Sequence, residues 1–231
     1  MNEKKIVIPQ WMAFIWGIIL LSLGVVVAVK ANYGVTVSTS PAYVLSLQFQ
    51  EVTLGTFNYV IQGLIFIVMI LMIRTVQWKH LFSFITNVVF GYAIDAFVLI
   101  MRNVTFHTHI ERVLGFALSI ALIGLALAFF IRSEMPMLPF DMFVRELAKK
   151  LGKRIGLVKT FFDLTLATCS LVMSLMFFSG VRGIYFGTLV SALTIGTAID
   201  IALHLVDKNI HFSDKEINRV KAKLEDQIIS F

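Results

Sequence analysis

Six stretches of mostly apolar residues, near 9–30, 54–73, 81–101, 113–131, 156–179 and 184–206, occupy most of this 231-residue sequence. Each reaches the roughly 18–20 residues that a helix needs to cross the hydrocarbon of a bilayer. Hydrocarbon offers no hydrogen bonds to a peptide backbone, so a segment of this kind must satisfy its own polar groups as a helix. The sequence therefore reads as an all-α integral membrane protein, a single membrane domain over 1–231 with six transmembrane helices. Composition agrees: 58% of residues are hydrophobic and 15% charged, against about 45–50% and 25% in soluble domains. The first stretch follows basic residues, as a secretory signal does. It exceeds the roughly 7–15 apolar residues of a signal core and is expected to stay as a transmembrane helix.

The formal net charge is +6. In a soluble protein that excess would point to nucleic acid, but here the positions of the basic residues decide. Lys4 and Lys5 precede the first stretch, and Arg74 and Lys79 follow the second. Arg132, Arg145, Lys149, Lys150, Lys153 and Arg154 follow the fourth, and Lys208, Lys215, Arg219, Lys221 and Lys223 follow the sixth. The alternate connectors carry only Lys30, Arg102, Arg112 and Arg182. Alternation of basic and neutral connectors predicts that both termini are cytoplasmic. The bilayer and its anionic headgroups are the expected partner, and nucleic acid is not.

Two pentapeptides repeat a pattern: Gly91-Tyr92-Ala93-Ile94-Asp95 and Gly196-Thr197-Ala198-Ile199-Asp200. Upstream of them Ser83 and Thr86 fall opposite Thr188 and Ser191. Gly24 and Gly124 lie late in the first and fourth apolar stretches, Pro41 and Pro139 lie in the connectors that follow, and Gly55 and Gly156 open the next stretches. The order predicts two diverged copies, about 9–101 and 113–206. Each copy has three spans, an odd number, so the second must enter the membrane from the opposite side. Two inverted three-helix repeats are the predicted fold, an arrangement that recurs in secondary transporters, with a site at the repeat interface.

The connectors are part of that expectation. Residues 31–53 break after Ala31-Asn32-Tyr33-Gly34, and Ser40-Pro41 predicts an N-cap and first residue of a half-helix from Ala42 to Phe49, too short to span. Re-entrant or interfacial backbone of this kind is tolerated where protein covers it or a wet cavity adjoins it. In the second copy Met142 to Lys150 predicts an amphipathic helix, with Phe143, Leu147 and Leu151 on its apolar face. Beyond the sixth stretch, Ser213 to Glu216 forms a capping box and opens a predicted amphipathic tail helix over 213–230 on the inner leaflet.

Ionisable and amide side chains within the apolar stretches supply the candidate site. Asp95 and Asp200 lead, because a carboxylate deep in a span costs about 2.5–3.5 kcal/mol on insertion scales and should face protein. Each is weighed as an ion or proton site against a structural carboxylate bonded to a neighbouring helix. Lys159 and Asp163 are four apart on one face and fall in register with Asn58 and Gln62. Asp141 directly follows Pro139-Phe140, where the helix dipole favours a carboxylate. Asn58, Gln62 and Asn87 are weighed as interhelical hydrogen-bonding groups, and Gly187-x-x-x-Ser191 and Ala192-x-x-x-Gly196 as packing ridges. Asp95, Asp200, Asp163, Gln62, Asn58, Lys159 and Asp141 are the substrate- or ion-binding candidates. His107 and His109 have no third ligand nearby, so no metal site is expected. The single cysteine, Cys169, has no partner for an intrachain disulfide. No nucleotide loop, zinc-protease motif or nucleophile elbow is present. The protein is expected to be no enzyme, with no catalytic residues and no cofactor.

Gly34 with Pro41, Pro139-Phe140-Asp141, the segment from Gly156 to Asp163, and Gly187-Thr188-Leu189-Val190-Ser191-Ala192 leading to Gly196 together resemble the YczE/YyaS/YitT family of bacterial integral membrane proteins. The similarity spans most of 10–205. This sequence departs in lacking the Asp that often follows the proline at Pro41, and in carrying Asp200 where relatives commonly have an uncharged residue. The soluble C-terminal domain of the longer members is not expected here. The resemblance implies a multi-pass protein of the bacterial cell membrane and leaves its chemistry open. The expected function is a small secondary transporter or exporter of a small solute or ion. The alternatives are a non-catalytic substrate-binding membrane subunit, such as that of a vitamin importer, and a membrane scaffold or regulatory protein. A homo-oligomer or a partner subunit is compatible with all of them.

Overall fold

The computed structural model describes residues 6–74, 78–133, 138–153 and 155–213. Eight helices lie among them: α1 (Gln10–Ala31), α2 (Ser40–Gln48), α3 (Leu54–Ile73), α4 (Trp78–Ile100), α5 (His109–Ser133), α6 (Pro139–Leu151), α7 (Ile155–Phe178) and α8 (Phe186–Asn209). Six of these, all but α2 and α6, are long and apolar enough to cross a membrane. A short strand before α1, β1 (Ile6–Pro9), pairs in parallel with β2 (Ile210–Ser213) after α8. The apolar patterning of the sequence predicts no strands. Their pairing ties the start of the first span to the end of the last, on one side of the bundle. The predicted tail helix over 213–230 lies outside the described residues, save for Ser213, which belongs to β2.

The helix ends follow local chemistry. Lys30 closes the last turn of α1, and Asn32 beyond it turns left-handed at φ 49°, its N–H donating to Val29 O. The Thr53 hydroxyl caps α3 by accepting from Thr56 N–H. Gly152 ends α6 at φ 61° with its N–H on the last turn, while Lys153 N–H reaches Ala148 O. The α2 start differs from expectation. The helix begins one residue earlier, at Ser40, with Thr39 as its flanking residue. The Ser40 hydroxyl does not cap α2. It donates to Val37 O and meets Ser170 Oγ of α7 at 2.9 Å, so a tertiary contact takes the group that the local pattern assigned to capping.

The packing places α1 and α5 at the centre. About half of each span is buried, against 17–33% for the other four. Gly24 lets the α1 backbone close on α5: a Cβ there would sit 2.8 Å from Ile123 Cγ1 and 3.2 Å from Ser119 O. Phe14 meets Phe130 edge-on, with ring centroids 5.5 Å apart. Around this axis lie Leu21, Val25, Phe90, Ile94 and Ala126. The outer helices turn large apolar side chains away from protein, with Leu193 81% and Leu71 70% exposed. Such faces suit lipid rather than water, and the protein is membrane-embedded.

The element order repeats: long, short, long, long, twice over. So does much of the packing. α2 packs on α7, and α6 packs on α3. α1 packs on α4, and α5 packs on α8. Helix ends repeat too, since Lys30 Nζ donates to Arg102 O at 3.2 Å while Arg132 pairs with Asp207. Not every relation is reciprocal. α3 lies against α4, whereas α7 and α8 scarcely touch among the described residues. Helix α6 presents Phe140, Val144 and Ala148 to the interior, a row one residue away from the predicted Phe143, Leu147 and Leu151. Both rows are apolar and both meet α7: Val144 and Ala148 are buried against Val158, Leu147 packs half-buried on the same cluster, and Phe143 meets the Phe162 ring.

Candidate functional site

The broken connector of the first copy is held as a structural element. Gly34 has φ +153°, and a Cβ at that position would overlap the Gly187 and Thr188 backbone at the start of α8. Glycine suits both requirements, close approach and a φ that L side chains rarely adopt. Gly187 N–H donates to Tyr33 O at 3.1 Å, Val35 N–H donates to Thr188 Oγ1 at 3.2 Å, and Ser191 Oγ donates to Val35 O at 3.3 Å. The small residues Gly187, Thr188 and Ser191 thus carry non-helical backbone, which is more than the packing ridge that their spacing predicts. At Gly196, by contrast, an added Cβ would meet nothing within 4 Å.

This connector and its counterpart meet a cavity of about 410 Å3. Thr36 to Thr39 and the α3 residues Asn58 and Gln62 line one part of it, and Phe140, Asp141, Val144 and Arg145 of α6 with Lys159, Thr160 and Asp163 of α7 line another. Apolar residues from the central and outer helices, among them Leu21, Phe90, Ile123, Phe130 and Ile195, complete the wall. Asn58 and Gln62 are the fifth and ninth residues of α3, and Lys159 and Asp163 are the fifth and ninth of α7. At about 1.5 Å of rise per residue, the ninth residue lies ~12 Å along its helix. Two helices thus bring polar groups from equivalent depths to one cavity.

The polar groups differ in how well they are satisfied. Asn58 and Gln62 are 1% and 2% exposed, and neither Asn58 Nδ2 nor Gln62 Oε1 has a hydrogen-bond partner among the described residues. A covered polar atom left unpaired costs about 1–3 kcal/mol. Lys159 Nζ lies 3.2 Å from Asp163 Oδ1 and 3.4 Å from Asp141 Oδ1. One ammonium thus serves two carboxylates, on different helices. Arg145, four residues after Asp141 on α6, is half exposed, and its nearest carboxylate oxygen is Glu146 Oε1 at 3.9 Å.

Five sequence-predicted residues therefore converge: Asn58, Gln62, Asp141, Lys159 and Asp163. Asp95 and Asp200 do not join them. Asp95 accepts from Thr53 Oγ1 at 2.6 Å and from Gly55 N–H at 2.8 Å, so the α4 carboxylate sits on the positive end of α3. This matches the structural alternative, a carboxylate bonded to a neighbouring helix. Asp200 is exposed on α8, next to Ile199 of the cavity wall, and has no hydrogen-bond partner among the described residues. Asn87 acts as interhelical glue, its Nδ2 donating to Tyr59 O of α3 at 3.0 Å. His107 meets Thr105 Oγ1 at 2.8 Å, and His109 packs on the Tyr33 ring. Among the described residues no group of three potential metal ligands occurs. Sequence reasoning missed Arg145 and the connector hydroxyls. The four-residue step from Asp141 to Arg145 on one helix face was the available signal for the first.

The chain is 24% identical over 213 residues to an uncharacterised Bacillus subtilis (strain 168) protein, YyaS, a match covering 89% of this chain and 97% of the relative. No solved structure matches. A family described only as one of unknown function matches residues 8–204, nearly the whole membrane domain. This multi-pass membrane protein therefore belongs to that family, DUF6198.

Proposed function

We propose that the protein is a small secondary transporter of the bacterial cell membrane, with both termini cytoplasmic and the two copies related by inverted topology. One observation carries the reading. A single cavity takes the broken connector and a polar helix face from each copy, Asn58 with Gln62 and Lys159 with Asp163 at equal helical depth. A solute site between inverted repeats, bounded by discontinuous helices, is the arrangement expected of alternating access. The wall combines amides, hydroxyls and an ion cluster with apolar side chains, a set suited to holding a solute without reacting with it.

The test is flux in proteoliposomes loaded with a pH-sensitive dye, under an imposed pH gradient, with solutes supplied in pools. Solute-dependent proton flux that falls at least tenfold in Gln62→Leu supports transport through this cavity. Absence of flux in every pool, with the protein monodisperse and inserted, sinks the transporter reading and favours a binding subunit.

A further inference from the structure

Four charged side chains line the cavity, Asp141 and Arg145 of α6 with Lys159 and Asp163 of α7, and their charges sum to zero. They are not evenly paired. Lys159 Nζ lies 3.4 Å from Asp141 Oδ1 and 3.2 Å from Asp163 Oδ1, so two carboxylates share one ammonium. Arg145 stands apart from this group. Neither Asp141 nor Asp163 forms an ion pair with its guanidinium, and its one loose pairing is Nε to Glu146 Oε1 at 3.9 Å. All four side chains are partly accessible, from 22% for Asp163 to 48% for Arg145. The wall is thus neutral in sum but divided. Carboxylates outnumber the ammonium in one part, and a guanidinium holds the other. Asp141 and Arg145 are four residues apart on α6, which sets their Cβ atoms about 5–6 Å apart.

This division selects among solutes by charge. The other lining residues are apolar or neutral, so the dielectric is lower than in water and an unmatched charge is costly. A lone cation would match the carboxylates and leave Arg145 unmatched, and a lone anion would do the reverse. An uncharged solute would take water from both parts and replace it at neither. A zwitterion matches both. The guanidinium fork fits a carboxylate in two-pronged fashion. Lys159 meets Oδ1 of each aspartate, and Oδ2 of each accepts no hydrogen bond among the described residues, which leaves acceptors for a second ammonium. A volume of about 410 Å3 lies at the small end of the roughly 300–1,000 Å3 of ligand sites. We propose that the cavity binds a small linear zwitterion, its carboxylate held by Arg145 and its ammonium by Asp141 and Asp163, with its two charges about one helical turn apart. This rests on the cavity being the solute site.

The experiment is thermal unfolding of the whole protein in nanodiscs, at matched ionic strength, with 4-aminobutanoate as the probe. Extended, this probe separates its ammonium from its carboxylate by about 5 Å, given bonds near 1.5 Å. Butylammonium and butanoate each keep one of its two charges. The expected result is a saturable rise in Tm of at least ~2 °C with 4-aminobutanoate at ~50 mM, and no saturable rise with either single ion. Arg145 is half exposed, so Arg145→Gln should fold. It should reverse the preference, responding to butylammonium more than to 4-aminobutanoate, because the extra carboxylate then has no opposite charge on the wall. Absence of a response to 4-aminobutanoate in the wild-type protein overturns the proposal, as does an equal response to either single ion. An Arg145→Gln protein that keeps the wild-type preference also overturns it. Saturable binding of 4-aminobutanoate with no solute flux would sink the transport reading alone. Flux of a lone cation or anion that Gln62→Leu abolishes would sink the zwitterion alone.

Discussion

Replacing Asp95 with asparagine should destabilise the protein by several times as much as the same change at Asp200, although the two residues close the same repeated pentapeptide. Asp95 is half-buried and accepts two hydrogen bonds at the start of α3, from Thr53 Oγ1 at 2.6 Å and from Gly55 N–H at 2.8 Å. The Thr53 hydroxyl has one proton, and the carboxylate has none, so that proton goes to Asp95. The Thr56 hydroxyl, 2.7 Å from Thr53 Oγ1, then donates in turn. An asparagine side chain would keep one acceptor for Gly55 N–H but present its amide N–H2 to the hydroxyl, reversing this chain. It would also remove the charge that opposes the helix dipole. Hydrogen bonds to charged groups contribute about 1.5–3 kcal/mol each and the dipole interaction about 0.3–1 kcal/mol. With one bond retained in weaker form, a loss of about 2–3 kcal/mol is expected. For a chain of this length that corresponds to roughly 4–12 °C in Tm. Asp200 is exposed and unpartnered among the described residues, so Asp200→Asn should stay within about 0.5 kcal/mol. Thermal unfolding of the detergent-solubilised protein, followed by intrinsic fluorescence, measures both. Equal shifts, or an unchanged Tm in Asp95→Asn, would refute the capping argument.

Three further outcomes follow from the same contacts. Gly55→Ala should abolish stable folding or shift Tm sharply downward, because the new Cβ would overlap Gly91 O, whereas Gly196→Ala, with nothing within 4 Å, should be neutral or slightly stabilising; elution profiles of the two proteins separate these cases. Thr188→Val removes the acceptor for Val35 N–H and should cost about 1–3 kcal/mol, read as increased proteolysis between 31 and 39. Cys169, exposed in the middle of α7, should resist a membrane-impermeant maleimide in intact cells and react with an apolar one. In a Cys169→Ser background, Val104→Cys should label from outside only and Asn209→Cys only after the membrane is opened, and the reverse pattern would overturn the assigned orientation.

Much of the fold was legible because lipid removes choices. A run of apolar residues in hydrocarbon must be helical, so the six spans follow from composition and length, and the structure starts and ends them within a few residues of the predicted limits. Contacts made between distant segments were not legible. Nothing near Ser40 announces that its hydroxyl will meet Ser170, 130 residues away. Nothing near Ile6 announces a strand, because β1 exists through its pairing with residues 210–213. On α6 two apolar rows were available, and both meet α7: Phe143 and Leu147 of the predicted row pack half-buried on Phe162 and its neighbours, while Val144 and Ala148 are buried beside them. At the site, register with α3 placed Lys159 and Asp163 opposite Asn58 and Gln62, and the cavity brings all four together. Asp141 was legible as a candidate at the start of α6, but its approach to Lys159 depends on how α6 lies against α7.

Repetition in this chain fixes position more than role. In the first copy the Gly-x-x-x-Asp element works as a unit: Gly91 admits α3 to backbone contact, and Asp95, one turn later, takes up the α3 N-terminus. In the second copy the same letters, Gly196 and Asp200, meet nothing comparable, and α7 stands apart from α8 among the described residues. The reverse holds at the cavity. There the letters differ, amides in α3 against an ion pair in α7, while the fifth and ninth positions coincide and face one space. A short sequence match keeps its role only if both helices that it joins keep their spacing, whereas a helical position depends on the backbone alone. The equivalent positions on α3 and α7 therefore carry more weight for function than the repeated pentapeptide does. The amides and the ion pair at those positions are where substitutions should change what the protein binds.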